Sequence, residues 1–527
     1  MNHSELMRLK NLGQTLRLLV LTATVTGCSN LATETAYNTV GRAAVGLTED
    51  GYLVAFEKYK LKHCTTPAAC YERNYVAPTS NEMGFVDITN GVKTMLVTHI
   101  VEYTRYPSET AVQSPDQGLR PRVPFKTLYN AYQAHQGYPK FTKRNQEFFE
   151  EGQNALYALR KNIAARLRDG VDKAKPYTHV ILIGMGWNND QQESVGRYSR
   201  MLSELRKEAE GEYRPLVVAL SWPSVWFSNA DFWLTRLVGH IGSYPVKAND
   251  ADELGYTLAA DLMHRVIGGA ISDCTRCDQF DDGYMPEYVV LGHSFGARLL
   301  ARALFSRNKL NSLKRAAPEA ALPDIFIGLQ GAFSANRFIA GSGKERSPFA
   351  NFGQLPTAIV LTSTEADTAN RAARFVTFAP HVGGEFGLKE AAKSKEVFCR
   401  TVASCPLVSG QGSCHLHDVP ADAPHKPVRA DNRVCAFKAG LNTSTCLDAA
   451  YAEGDEKRVA IVDSGCITVK YDKEAENEAV LQQNASLAIG ETAGATVNEN
   501  PYVSAHNDVL DDETARLIWR LLGRSRR

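Results

Sequence analysis

Glu287-Tyr-Val-Val-Leu-Gly-His-Ser-Phe-Gly-Ala-Arg-Leu-Leu-Ala-Arg-Ala-Leu-Phe305 is the stretch from which the fold of the chain is read. Glu287 to Leu291 is a short apolar, β-branched run and reads as a buried strand, while Ala297 to Phe305 has the composition of a helix. Between them, Gly292-His293-Ser294-Phe295-Gly296 places a serine in G-x-S-x-G spacing. A sharp strand-to-helix turn would lift that hydroxyl above the sheet edge. Glycines flank it because a Cβ there would meet the neighbouring strand and helix. The spacing alone is common; its place directly after an apolar strand and before a helix makes Ser294 a candidate nucleophile rather than a helix-capping serine.

The same alternation extends to either side. Asn145 to about Lys173 carries Ala155, Leu159, Ile163 and Leu167 four apart, one face of an amphipathic helix. His179-Val-Ile-Leu-Ile-Gly184 and Leu216-Val-Val-Ala-Leu220 read as buried strands with a helix between them, and a further helix from about Asp250 leads to Glu287. More strands are expected at Ile325–Leu329 and Thr357–Leu361, and Val459–Val462 is the apolar run left for a last core strand. Asp511 to Leu522, acidic at its start and amphipathic, closes the chain as a helix. Continuously apolar strands separated by amphipathic helices imply a mostly parallel sheet with helices on both faces. The expected class is α/β, with the α/β-hydrolase fold and a Cys-rich insertion before the last strand and the catalytic His.

A serine hydroxyl is a weak nucleophile without a base, so the sheet must supply an acid and a His, in the order Ser, acid, His. Gln330 to Gly343 contains no carboxylate, and Asp324 lies at the wrong end of its strand. After the next strand, Glu365 and Asp367 both stand at the carboxyl edge, with Asp367 placed ahead of Glu365. Among later histidines, His415, His417 and His425 fall in the Cys-rich segment and read as surface residues. His381 competes with His506, which stands in Ser504-Ala-His-Asn-Asp508 just before the closing helix and is preferred as the base. The developing oxyanion needs backbone N–H donors, for which Phe295 and Trp187, in Gly184-Met185-Gly186-Trp187, are the candidates.

Four motifs in order, Gly186-Trp187-Asn188-Asn189, Ser221-Trp222-Pro223-Ser224, His293-Ser294-Phe295-Gly296-Ala297-Arg298 and Glu365-Ala366-Asp367-Thr368-Ala369, resemble a bacterial α/β-hydrolase group of unknown function. That group shows an HGxN loop, an SWPS strand end, an HSxGxR elbow and an Asp-x-Ala acid loop. The resemblance spans roughly residues 145 to 375 and the C-terminal end, and it implies Ser294, Asp367 and His506 as a catalytic triad. The chain departs from the group at Met185, where a His is usual, and in the long insertion between acid and base.

At the N-terminus, Arg8, Lys10 and Arg17 precede the apolar run Leu18 to Val25, too short to span a bilayer and readable as a signal peptide. Val25-Thr26-Gly27-Cys28 resembles the bacterial lipobox, which implies cleavage before Cys28 and its acylation, a stable membrane anchor. Ser29 after the Cys leans toward the outer membrane by that resemblance. Removing Cys28 from the 11 cysteines leaves an even number, which suits disulfides in an oxidising compartment. Cys274-x-x-Cys277 lacks the second pair a zinc site wants and the strand and helix that frame a redox motif. With 59 Lys+Arg against 58 Asp+Glu there is no basic field for nucleic acid. No cofactor or metal is implied.

These features point to a membrane-anchored serine esterase or lipase of the bacterial envelope, acting on an ester or lipid substrate through an acyl-enzyme. The alternative is a non-catalytic envelope lipoprotein that keeps the fold for binding. The expected organisation is a signal peptide at 1–27, a tether and stapled segment at 28–144, the hydrolase core at 145–382, the Cys-rich insertion with a core strand at 383–500, and the His loop and terminal helix at 501–527.

Overall fold

His179-Val-Ile-Leu-Ile-Gly184 has no polar interruption because both of its faces are covered. Val180 and Leu182 enter one hydrophobic core and Ile181 and Ile183 the other. Tyr288 and Val290 against Val289 and Leu291 repeat the arrangement in the strand that leads to Ser294.

The structure, a computed structural model, describes residues 47–60, 93–105, 125–131, 145–186, 189, 191–209, 213–224, 233–274, 285–307, 320–343, 347–365, 367, 369–370, 381–404, 415–418, 427–430, 433–436, 445–464, 509–510 and 512–522. Strands β1 (Gly51–Lys60), β2 (Lys93–Tyr103) and β3 (Phe125–Asn130) come first. Helix α1 (Asn145–Asp172), β4 (His179–Gly184), α2 (Gln191–Glu208), β5 (Pro215–Ser221) and α3 (Trp233–Tyr256) follow. Past Thr257 the chain stays helical through a π-helical stretch, Asp261–Ile267, to Ser272. Next come β6 (Glu287–His293), α4 (Phe295–Leu304), β7 (Ile325–Leu329), β8 (Ala358–Ser363), α5 (Glu385–Lys393), β9 (Phe398–Ser404) and β10 (His415–Asp418). A small hairpin, β11 (Pro427–Ala430) and β12 (Arg433–Ala436), then α6 (Thr445–Tyr451), β13 (Val459–Asp463) and α7 (Asp512–Leu522) complete the described elements.

Apart from the hairpin, the described strands form one sheet in the order β10-β9-β13-β8-β7-β6-β4-β5-β1-β2-β3. From β9 to β1 every neighbouring pair is parallel, and β10, β2 and β3 add antiparallel edges. One face is covered by α1, α4 and the helical run around Met263, through Leu156, Leu159, Ile163, Leu299 and Leu300; the other is covered by α2, α6 and α7, through Tyr198, Leu202, Leu447, Ile518 and Leu521. The α/β class with a mostly parallel sheet and helices on both faces follows directly.

The sheet is wider than the sequence reading. The segment 28–144, read as a tether and stapled segment, contributes β1, β2 and β3, and Leu53, Val54, Ala55 and Phe56 are fully buried. The Cys-rich segment contributes β9 and β10 as well as Val459–Asp463, which lies between β8 and β9. β1 joins the parallel sheet through β5, and β9 through β13, partners far away along the chain, although Tyr52-Leu-Val-Ala-Phe56 of β1 is itself an apolar run buried at every position.

Cys399 and Cys446 form a disulfide that staples β9 to α6, and Cys274 is also disulfide-bonded. Cys28, Cys64, Cys70, Cys277, Cys405, Cys414 and Cys466 lie outside the described residues. Among the described residues no helix is long and apolar enough to cross a membrane, and no group of His, Cys, Asp or Glu is set to hold a metal ion.

Candidate active site

Ser294 sits between β6 and α4 with φ 55° and ψ −119°. That conformation costs a non-glycine residue on the order of 1–3 kcal/mol and persists only where the surroundings over-determine it. Here they do. Its N–H donates to Leu329 O at 3.0 Å, and its carbonyl accepts from Arg298 N at 3.2 Å and Ala332 N at 3.1 Å. The turn also needs glycine at 296, where a Cβ would overlap the carbonyl of Gly184.

Phe295 is the first residue of α4, with its ring buried in the core and its backbone at the helix N-terminus. The turn after β4 lies directly against the nucleophile: a Cβ on Gly186 would stand 2.6 Å from Ser294 Cβ and 3.0 Å from its Oγ. Trp187 lies outside the described residues. Met185, which replaces the His of the resembling group, buries its side chain in the core, and its N–H donates to Tyr198 Oη at 2.8 Å. Burial raises the Tyr198 phenol well above its ordinary range, so it remains an O–H and donates to Leu220 O at 2.6 Å.

The two carboxylates after β8 part company in the structure. Glu365 is exposed, whereas Asp367 is fully buried. Asp367 Oδ1 accepts from Asn370 N at 2.8 Å and Oδ2 from Asn370 Nδ2 at 2.7 Å. The same amide nitrogen donates to Gln330 O at 3.1 Å. Asn370 Oδ1 is then left as an acceptor for His381 Nδ1 at 3.1 Å, which fixes the proton on that ring nitrogen. His381 is buried, and its ring meets the residue that holds Asp367. His506 and His425 lie outside the described residues, and His415 and His417 fall on edge strand β10.

Gln330, at the end of β7, joins the two halves of the site. Leu329 O takes the Ser294 N–H, Gln330 O takes the Asn370 amide, and Gln330 N donates to Thr362 Oγ1 at 2.9 Å. Its φ of 46° is unusual for a residue that is not glycine. Ser294 and Asp367 therefore stand at the same carboxyl edge of the sheet, linked through one strained turn. The sequence reading passed over Asn370 and Gln330; the i, i+3 spacing of Asp367 and Asn370, a common local capping pattern, was the available signal.

A buried ion cluster braces the elbow from behind. Arg298, one turn after Ser294, donates to Asp252 of α3, and Arg337 donates to both Asp252 oxygens at 2.9 and 2.8 Å. Burial alone would push the Asp252 carboxyl up, but the two guanidinium groups hold it well below the ordinary carboxylate range.

No protein-family model matches the chain, and no curated protein matches it in sequence. Among solved structures it is similar to a protein of Lactobacillus plantarum WCFS1 described as a candidate cell surface hydrolase, at 11% identity over 62% of this chain and 98% of that one, with a TM-score of 0.20. A likeness that distant carries no argument about the site.

Proposed function

We propose that the chain is a serine hydrolase that cleaves carboxylic esters through an acyl-enzyme, anchored in the bacterial envelope by acylated Cys28. The observation that carries the reading is the backbone of Ser294, held in a costly conformation at a strand-to-helix turn with Gly186 pressed against its side chain. Asp367, buried at the same sheet edge, is the acid, and His506 is the base on sequence grounds.

In this mechanism His506 takes the Ser294 hydroxyl proton as Oγ bonds to the ester carbonyl carbon. The carbonyl oxygen becomes an oxyanion stabilised by the N–H groups of Phe295 and Trp187. The C–O bond to the alcohol then breaks, and the imidazolium returns its proton to the leaving oxygen. A water molecule, deprotonated by His506, attacks the acyl carbon; the carboxylic acid leaves and Ser294 Oγ recovers its proton. Asp367 orients the imidazole and stabilises its charged form, and Asn370 holds Asp367 in place. A lipid or acylated envelope ester is the substrate class that a membrane anchor brings near.

A fluorophosphonate probe tests the reading. Covalent labelling of the wild-type protein but not of Ser294→Ala is expected, together with hydrolysis of a 4-nitrophenyl ester series. Absence of labelling in folded protein would leave the binding lipoprotein as the function.

A further inference from the structure

Ser221-Trp222-Pro223-Ser224 has no part in the steps above, yet it reaches back to the turn after β4 at both ends of that turn. The Trp222 indole donates to Met185 O at 3.0 Å. Ser224 Oγ accepts from Asn189 N at 3.1 Å and donates to Asn189 O at 2.6 Å, so one hydroxyl holds both polar groups of that residue's backbone. Asn189 Nδ2 in turn donates to Gly186 O at 3.1 Å, and Gly186 is the residue against Ser294. Trp222, Ser224 and Asn189 are all buried. The clamp has its own footing: buried Lys247 of α3 donates to Pro223 O and lies 3.5 Å from Asp250.

Backbone donors stabilise a developing oxyanion only if they are in place before the charge forms, because reorganising them during the reaction gives back the gain. Met185 cannot brace this turn with its side chain, which is in the core. The bracing comes from the neighbouring strand instead. We propose that Ser224 is a positioning residue whose hydroxyl, with the Trp222 indole, holds Met185 and Asn189 and, through Asn189, Gly186 against Ser294, and so pre-forms the oxyanion-binding side of the site. The inference rests on the serine hydrolase reading. A clamp of this kind acts on the transition state and leaves the ground-state ester indifferent, so its loss appears in kcat and not in KM.

The test uses the full chain and its Ser224→Ala, Ser224→Thr and Trp222→Phe variants. For each, kcat and KM with 4-nitrophenyl butyrate are measured beside inhibition by a trifluoromethyl ketone of matching acyl length, which mimics the tetrahedral oxyanion, and a melting curve. Ser224→Ala is expected to lower kcat by about 10–100-fold and weaken the ketone by a similar factor, with KM within about twofold. Ser224→Thr restores the hydroxyl and most of both losses; Trp222→Phe keeps a ring but loses the N–H and gives a smaller drop. Wild-type kcat and ketone affinity in folded Ser224→Ala would overturn the clamp while the hydrolase reading stands. Should Ser224→Ala not fold, wild-type behaviour of Trp222→Phe overturns it equally. A wild-type chain that neither turns over ester nor takes the fluorophosphonate fails the hydrolase reading itself, and the clamp with it.

Discussion

Asn370 satisfies both oxygens of the buried Asp367 carboxylate, its backbone N–H on Oδ1 at 2.8 Å and its side-chain amide on Oδ2 at 2.7 Å. The acid is thus oriented in part by a neighbour three residues along the chain. Asn370→Ala should lower kcat by about tenfold, and it leaves buried polar groups unsatisfied at about 1–3 kcal/mol of stability. Asp367→Asn should cost more, roughly 10²–10⁴-fold in kcat, and Glu365→Gln little because that side chain is exposed. Steady-state kinetics beside melting curves check the order.

His381 and His506 are the competing bases: His381 Nδ1–H donates to Asn370 and leaves Nε2 as the nitrogen that would act, while His506 stands just before the closing helix. His506→Ala should reduce kcat about as far as Ser294→Ala, by several orders of magnitude, with the double mutant little worse than either. His381→Ala should lower the melting temperature more than the rate of the folded protein. Loss of turnover in folded His381→Ala with activity retained in His506→Ala would reverse the assignment.

Asp252 ties α3 to the elbow helix and to the loop after β7 through Arg298 and Arg337. Asp252→Ala strands two buried cations and should destabilise by about 3–5 kcal/mol in a urea melt. The pH dependence follows from the lowered pKa. The unfolded carboxyl protonates near pH 4 and the folded one only below that, so this contribution is complete above about pH 4 and is lost as acid drives the pH through the folded value. Wild type should show a loss of stability in that acid window that is absent from the variant.

Glu57 is buried on β1, and burial pushes its carboxyl up to about 8. A folded pKa above the unfolded value means that stability present at low pH is lost as the pH rises from the ordinary carboxylate range through about 8. Glu57→Gln should therefore match wild type near pH 4 and exceed it by about 2–4 kcal/mol above pH 8, read from denaturant midpoints at the two pH values. Equal midpoints at high pH would show that the folded carboxylate is well solvated.

Cys28 is expected to carry the lipid. Cys28→Ala should release the protein from the membrane fraction, and a variant that stays in the pellet after a carbonate wash would count against the lipobox.

Ser294, its flanking glycines and the strand-turn-helix around them could be read directly, because a sharp turn, an apolar run and a helical period are all local properties of the chain. For the same reason β4, β6, β7 and β8 were legible: strands covered on both faces are apolar at every position. What set Asp367 apart from Glu365 was partly position, but only the fold shows one buried on Asn370 and the other in solvent. The joins that shape the site run between strand ends: Leu329 and Gln330 between nucleophile and acid, and Ser224 to Asn189 across 35 residues. The places of β1 beside β5 and of β9 beside β13 were hidden on the same ground, although the apolar run Tyr52 to Phe56 is itself a local signal for a strand. A hydrogen bond across a sheet depends on which strand lies alongside, and that is decided by closing long loops around a common core, a property of the whole chain that no window of sequence contains.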